Sequence, residues 1–341
     1  MRLGLELTRG DLAASVASAE RAAALRPDHL HLAISAGAPE IDAHALAQVL
    51  AAASACLRLD LLKLPTANPA AAIERIHTRL ARVGVEPADV AVFPTTHEAV
   101  AAARRCFAHA RIGGGTPDFF VQLNRQHRLP ALDFLSFTVC PIVHSADDQT
   151  VMQSHRSLAA MLDTLRARHP GVPVQIGPSG IAARRSPLGA LAESDGRHPV
   201  PLAATDPRES TGFGAAWIAA HIAAAQAAGA QAVTVGSLAT CRAGSPVAEL
   251  WSRLGRRVRS AGLRTLPAPA KAPWIALRLT GPTGAQELVV NLGPKPLALE
   301  DAEPAELLGS ASADADRDAD AASLDRVTLP PYSMVALRST H

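Results

Sequence analysis

Phe134-Leu135-Ser136-Phe137-Thr138-Val139 is a β-forming run, followed by the amphipathic segment Ser154–Arg168 and then by Val172-Pro173-Val174-Gln175-Ile176. Strand, helix, strand is the unit that builds a parallel sheet. The same alternation recurs on both sides. Leu3–Leu7, His29–Ser35, Leu57–Leu64, Val90–Pro94 and Arg111–Gly113 come before it, and Ala232–Gly236 comes after. Between them lie alanine-rich segments such as Asp11–Leu25, Ala43–Ala55 and Ala70–Val83. Their apolar residues recur at three- and four-residue spacing, as in helices packed on a sheet. Eight such units predict an α/β protein with a closed (β/α)8 TIM barrel; an open doubly wound sheet is the second choice.

Beyond Leu254 the pattern changes. Trp274–Thr280, Glu287–Leu292, Pro296–Leu299 and Met334–Arg338 read as strands with no helices between them. We therefore expect a barrel over 1–262 and a small antiparallel β domain over 263–341. Within the latter, the low-complexity stretch Gly309–Asp325 carries no packing stripe and is expected as a mobile loop.

The 341 residues suit one barrel of this kind with an appendage, and 48% hydrophobic residues permit a large core. A net charge of +2 gives no reason to expect nucleic acid or an anionic membrane as partner. Cys56, Cys106, Cys140 and Cys241 form no C-x-x-C pair, and free thiols fit a reducing cytosol. The opening residues Met1–Glu6 lack the apolar run of a signal peptide. Phe213–Ala230 contains His221 and Gln226 and reads as a buried barrel helix, not a membrane span. The expected location is cytoplasmic.

Barrel chemistry sits on the loops after the strand C-termini. After strand 4, His97 and Glu98 could supply an acid or base; equally, Thr95 or Thr96 could cap a helix with Glu98 in its first turn. After strand 5, Gly113-Gly114-Gly115 suggests a loop that turns sharply or approaches a ligand, with backbone N–H groups for an oxyanion. No Gly-Lys-Ser/Thr follows, so a phosphate loop is not expected. Asn124 could bond a polyol, and Arg125 a carboxylate. After strand 6, His144 is the general-base candidate, with Asp147 or Asp148 orienting it or capping the next helix. After strand 7, Arg184 or Arg185 could meet an anionic substrate. Ser179 lacks a nucleophile elbow, and nothing near Cys241 would activate it. His29, His31, His77 and His155 read as packing or surface residues. A metal site would need distant groups such as His97, Glu98 and His144, so neither metal nor cofactor is expected.

Three stretches together resemble the D-apionate lactonase family, a barrel related to clan A glycoside hydrolases. They are Gly113-Gly114-Gly115-Thr116 through Asn124-Arg125; Asp133-Phe134-Leu135-Ser136-Phe137 through His144 and Asp147-Asp148; and Asp206-Pro207-Arg208 with Phe213-Gly214-Ala215-Ala216-Trp217. Leu329–Val335 also resembles the last strand of the small β domain that accompanies such barrels. Two departures stand out. Family members carry a β domain ahead of the barrel, whereas this chain opens at strand 1. They also carry an acidic residue after strand 8, where this chain reads Gly236-Ser237-Leu238.

The resemblance implies hydrolysis of a sugar-acid lactone in carbohydrate catabolism. His144 would activate water, with Glu98 assisting, and the glycines would hold the oxyanion. Asn124, Arg125 and Arg184 would hold hydroxyls or a carboxylate, so the implied partner is a small sugar acid or lactone. A glycoside hydrolase is one alternative, although Gly177–Arg185 contains no carboxylate for a nucleophile. A catalytically inactive carbohydrate-binding barrel is the other. The oligomeric state is left open.

Overall fold

The computed structural model describes residues 1–187, 189–257, 262–269, 272–282, 284–300, 304–308 and 326–338. The parallel strands are β1 Arg2–Leu7, β2 His29–Ser35, β3 Cys56–Leu62, β4 Asp89–Val92, β5 Arg111–Phe119, β6 Phe134–Thr138, β7 Val174–Ser179 and β8 Ala232–Ser237. They close in sequence order, with β8 paired to β1. The barrel expectation holds; the open sheet does not.

Alternation within each strand separates two cores. Leu3, Leu5 and Leu7 of β1, Leu30 and Leu32 of β2, and Leu57, Leu59 and Leu61 of β3 are all buried within the main core that includes the helices. The opposite phase carries Arg2, Gly4, Glu6, His29, His31, Arg58 and Asp60, which face the lumen. At the N-terminal end of the barrel, Asp89 is gripped by Arg2 at 2.6 Å and Arg111 at 2.5 Å. One layer up, His29 Nε2 lies 2.8 Å from Thr234 Oγ1. Gly4 leaves room for that imidazole, since a Cβ there would come within 2.1 Å of its Nε2.

The helices are α1 Arg9–Ala13, α2 Ser15–Leu25, α3 Ala43–Ala53, α4 Pro69–Ala81, α5 His97–Cys106, α6 Phe120–Asn124, α7 Asp148–Gln153, α8 Leu158–Arg168, α9 Gly212–Ala227 and α10 Pro246–Arg256. Asp42, Asn68, Thr96, Asp147 and Ser245 each cap a helix through the side chain. Pro69 and Pro246 sit at the first positions, where no N–H is needed. α9 has no polar face. It is apolar all round, as a helix enclosed on every side must be. Among the described residues no helix is long and apolar enough to cross a membrane.

What encloses α9 is the C-terminal region. Strands β9 Leu263–Leu266, β10 Trp274–Gly281, β11 Gly284–Asn291, β13 Pro304–Leu308 and β15 Met334–Arg338 form an antiparallel sheet in the order β13-β15-β11-β10-β9. β12 Leu297–Glu300 and β14 Arg326–Leu329 pair separately. Leu277, Leu279, Leu288, Val290 and Met334 join the barrel's own core. Ala276, Val289, Val335 and Leu337 face the other way and pack with Leu329. Thr265 fixes the sheet to α9, donating from N–H to Gln226 Oε1 at 2.8 Å and from Oγ1 to Ala223 O at 2.6 Å. The expected loop Gly309–Asp325 lies outside the described residues.

Candidate functional site at the barrel mouth

The lumen-facing residues near the strand C-termini converge on a charged mouth. Glu6 comes from β1, His31 from β2, Arg58 and Asp60 from β3. Arg184, Arg185 and Glu209 come from the long segment between β7 and α9. Arg184 Nε donates to Glu6 Oε2 at 2.7 Å and its Nη1 to Glu209 Oε1 at 3.3 Å. Burial disfavours the Arg184 charge, but Glu209 and Glu6 outweigh it and hold the guanidinium above its ordinary pKa. Gly180 makes this packing possible, because a Cβ there would stand 2.7 Å from Arg184 Nη2 and 2.8 Å from Glu209 Oε1. Ala182 N–H also donates to Glu209 Oε1, at 3.0 Å.

Beneath this clamp, His31 Nε2 lies 3.0 Å from Asp60 Oδ2, both side chains fully buried. Burial alone would raise the Asp60 pKa, yet His31 and then Arg58 overcome it and hold it below the usual carboxylate value. Arg58 donates to Ser136 Oγ at 2.6 Å and Gly177 O at 3.1 Å. Burial pulls the Arg58 pKa down despite Asp60. On the other side, Asp118 stands half-buried at the end of β5. Burial pushes its carboxyl up, and the Arg185 charge partly offsets this. A cavity of about 370 Å³ opens beside it, lined by Lys63, Phe93, Thr95, Gly115, Thr116 and Gln126, within the size range of small-molecule sites.

The residues singled out from the sequence fall elsewhere or play other parts. Gly113, Gly114 and Gly115 lie inside β5, which runs on to Phe119, and not in a loop after it. Packing explains them. A Cβ on Gly113 would come within 2.3 Å of the Phe134 ring, and one on Gly114 within 2.4 Å of Thr95. Gly115 adopts φ +120 and faces Ser136 O. Its N–H is already committed to Thr95 Oγ1, at 2.9 Å. Glu98 is exposed in the first turn of α5, which Thr96 caps. His144 is exposed on the turn after β6.

Asp147 caps α7, accepting from Ser145 Oγ at 2.6 Å and Thr150 N–H at 2.8 Å. These bonds, the Ser145 hydroxyl first, lower its carboxyl to about 2. Asn124 Oδ1 accepts from Arg168 Nη1 at 2.5 Å and so is tied to α8. Arg125 is exposed. Of that set, Arg184 stands in the mouth, as does Arg185 beside it. His31, dismissed as packing, stands there too. Its signal was the phase of polar residues alternating with leucine in β1, β2 and β3.

Asp206-Pro207-Arg208 binds two other motifs together. Arg208 is held by Asp206 at 2.7 Å and by Asp148 at 2.6 Å, donates to Ala146 O at 3.0 Å, and lies over the Phe213 ring at 5.1 Å. The segment after β7 is thereby fastened over the β6 turn.

Comparison with known proteins places the whole barrel. The family described as D-apionate lactonase, TIM barrel domain, matches residues 3–246. The chain belongs to this family. A D-apionate lactonase of Brucella anthropi is 34% identical over 148 residues, covering 42% of this chain and 24% of that protein. The match to this curated relative thus spans about a quarter of its length. Among solved structures, a GH30 endoxylanase from Clostridium papyrosolvens C71 superposes with TM-score 0.53 at 10% identity, over 98% of this chain and 95% of that one. A family 39 glycoside hydrolase from Bacteroides cellulosilyticus WH2 gives TM-score 0.53 at 6% identity, over 99% and 81%. At such identities the likeness is one of fold. The D-apionate lactonase barrel shares its architecture with glycoside hydrolases.

Proposed function

We propose that the chain hydrolyses the lactone of a sugar acid at the mouth of its barrel, as a step of carbohydrate breakdown. The family match over residues 3–246 carries this reading. The mouth has the chemistry that ester hydrolysis needs. It offers carboxylates to accept a proton from water and guanidinium groups to stabilise charge on a carbonyl oxygen. Its polar floor and the adjoining cavity suit a substrate rich in hydroxyl groups.

The test is to supply D-apionate lactone and other sugar-acid 1,4-lactones and follow ring opening by NMR. Opening well above the spontaneous rate is expected. A rate equal to the buffer blank for every lactone rejects the reading. The glycosidase alternative has less support. The ends of β4 and β7 present Pro94-Thr95 and Ser179-Gly180, and a retaining mechanism requires two carboxyl groups about 5–5.5 Å apart across the anomeric carbon.

A further inference from the structure

We propose that Arg185 and Asp118 are the reacting pair of the mouth. Arg185 holds the carbonyl oxygen of the lactone and then the carboxylate of the opened acid, while Asp118 takes a proton from the attacking water. The assignment rests on the lactone reading above.

Elimination within the mouth leads to this pair. Arg184 is saturated by Glu6 and Glu209. Those two carboxylates are in turn occupied by Arg184, and Asp60 by His31. Arg58 is fully buried, and its Nη2 donates to Ser136 and Gly177. Arg185 differs from the other two arginines in that its guanidinium makes no hydrogen bond or ion pair among the described residues; its Nε, like that of Arg58, is buried without a partner. A buried unpaired donor is costly, and a ligand oxygen would relieve that cost. Arg185 follows Arg184 in the segment after β7, at the end of the barrel where Asp118 closes β5, and its charge acts on both Asp60 and Asp118.

Asp118 is the matching open carboxylate. Its backbone is fixed at both ends: its N–H donates to Thr116 Oγ1 at 3.1 Å and its C=O accepts from Thr138 Oγ1 at 3.0 Å. No donor among the described residues engages its side chain. Half-burial raises its basicity, which suits a proton acceptor.

In the reaction, the water oxygen bonds to the lactone carbonyl carbon as Asp118 removes one water proton. The carbonyl π pair moves onto oxygen and is held by Arg185. Collapse of this adduct breaks the ring C–O bond, and Asp118 returns its proton to the departing ring oxygen. The new carboxylic acid loses its proton to solvent and pairs with Arg185 as a carboxylate.

The test measures hydrolysis of D-apionate lactone and calorimetric binding of D-apionate. Arg185→Ala should lower kcat by about 10²–10³-fold and abolish D-apionate binding, with Arg185→Lys recovering part of both. Asp118→Asn should lower kcat by about 10²–10⁴-fold while still binding D-apionate. Melting temperatures near wild type would separate these losses from misfolding. Wild-type turnover in Arg185→Ala or Asp118→Asn overturns the assignment and leaves the lactone reading intact. A wild-type chain that opens no lactone yet binds D-apionate through Arg185 overturns the lactone reading and Asp118's role, and keeps Arg185 as a carboxylate anchor. Absence of both turnover and binding overturns both.

Discussion

Arg184 Nε donates to Glu6 Oε2 across 2.7 Å, linking the segment after β7 to the end of β1. The link passes over β8, which separates those two strands in the barrel. Arg184 also holds Glu209, so one guanidinium neutralises two carboxylates whose side chains are each 16% exposed. Arg184→Ala leaves both without a counter-charge. A loss of roughly 2–3 kcal/mol is expected, somewhat below that of a fully buried pair. Urea unfolding measures it. Glu6→Gln combined with Arg184→Met should cost less than Arg184→Ala alone, because fewer stranded charges remain.

Gly113 and Phe134 make a second, purely steric relationship. A methyl group at position 113 would overlap the Phe134 ring, which has the Arg58 and Arg111 guanidinium groups 6.0 Å and 5.9 Å from its centroid. The ring has little room to retreat. Gly113→Ala should therefore destabilise the barrel by about 1–3 kcal/mol. Phe134→Leu in the same chain should return part of that loss. Additive losses in the double variant would show that the two positions do not compete for space.

Two buried imidazoles make stability depend on acid. His221 of α9 stacks on Trp217 with ring centroids 5.0 Å apart, and neither it nor His155 has a ring nitrogen bonded to a protein group. Burial, with Arg156 adding to it, lowers His155 to about 4. Burial, with His155 adding to it, lowers His221 to about 3. Unfolded, each would titrate near 6.5. Between those values the unfolded chain binds protons that the folded chain refuses, so stability must fall as pH drops from about 6.5 toward 3–4. The full effect is on the order of several kcal/mol. Urea midpoints at pH 7, 5.5 and 4.5 would trace it, and His221→Phe should flatten the slope.

The barrel is visible in the sequence because period-2 leucines in β1, β2 and β3 and the helical spacing between them are local signals. The position of Gly113–Gly115 is not. Glycine disfavours strands, and only the neighbouring Phe134 ring, Thr95 and Ser136, brought up by β4 and β6, explain why β5 tolerates three. The polar residues of the mouth are visible as the alternate phase of the same strands. That phase faces the lumen only once β8 closes on β1. Choosing between Arg184 and Arg185 is beyond any local rule, since Glu6 lies 178 positions from Arg184. His144 attracts notice because histidine titrates near neutrality, but its exposure on the turn after β6 is set by the tertiary fold.

His144 and Asp118 therefore compete as proton acceptor, and they predict opposite outcomes. His144 is exposed and makes no hydrogen bond among the described residues. Burial raises the Asp118 carboxyl above the ordinary value, and the Arg185 charge partly offsets this. With Asp118 as base, His144→Ala should leave kcat within a few-fold of wild type. The acidic limb of kcat/KM should then lie above the ordinary aspartate value, because activity requires the ionised form and is lost as pH falls through that pKa. A pH profile from 4 to 8, recorded for wild type and for His144→Ala, separates the two. A limb near neutrality that vanishes in His144→Ala would return the role to His144.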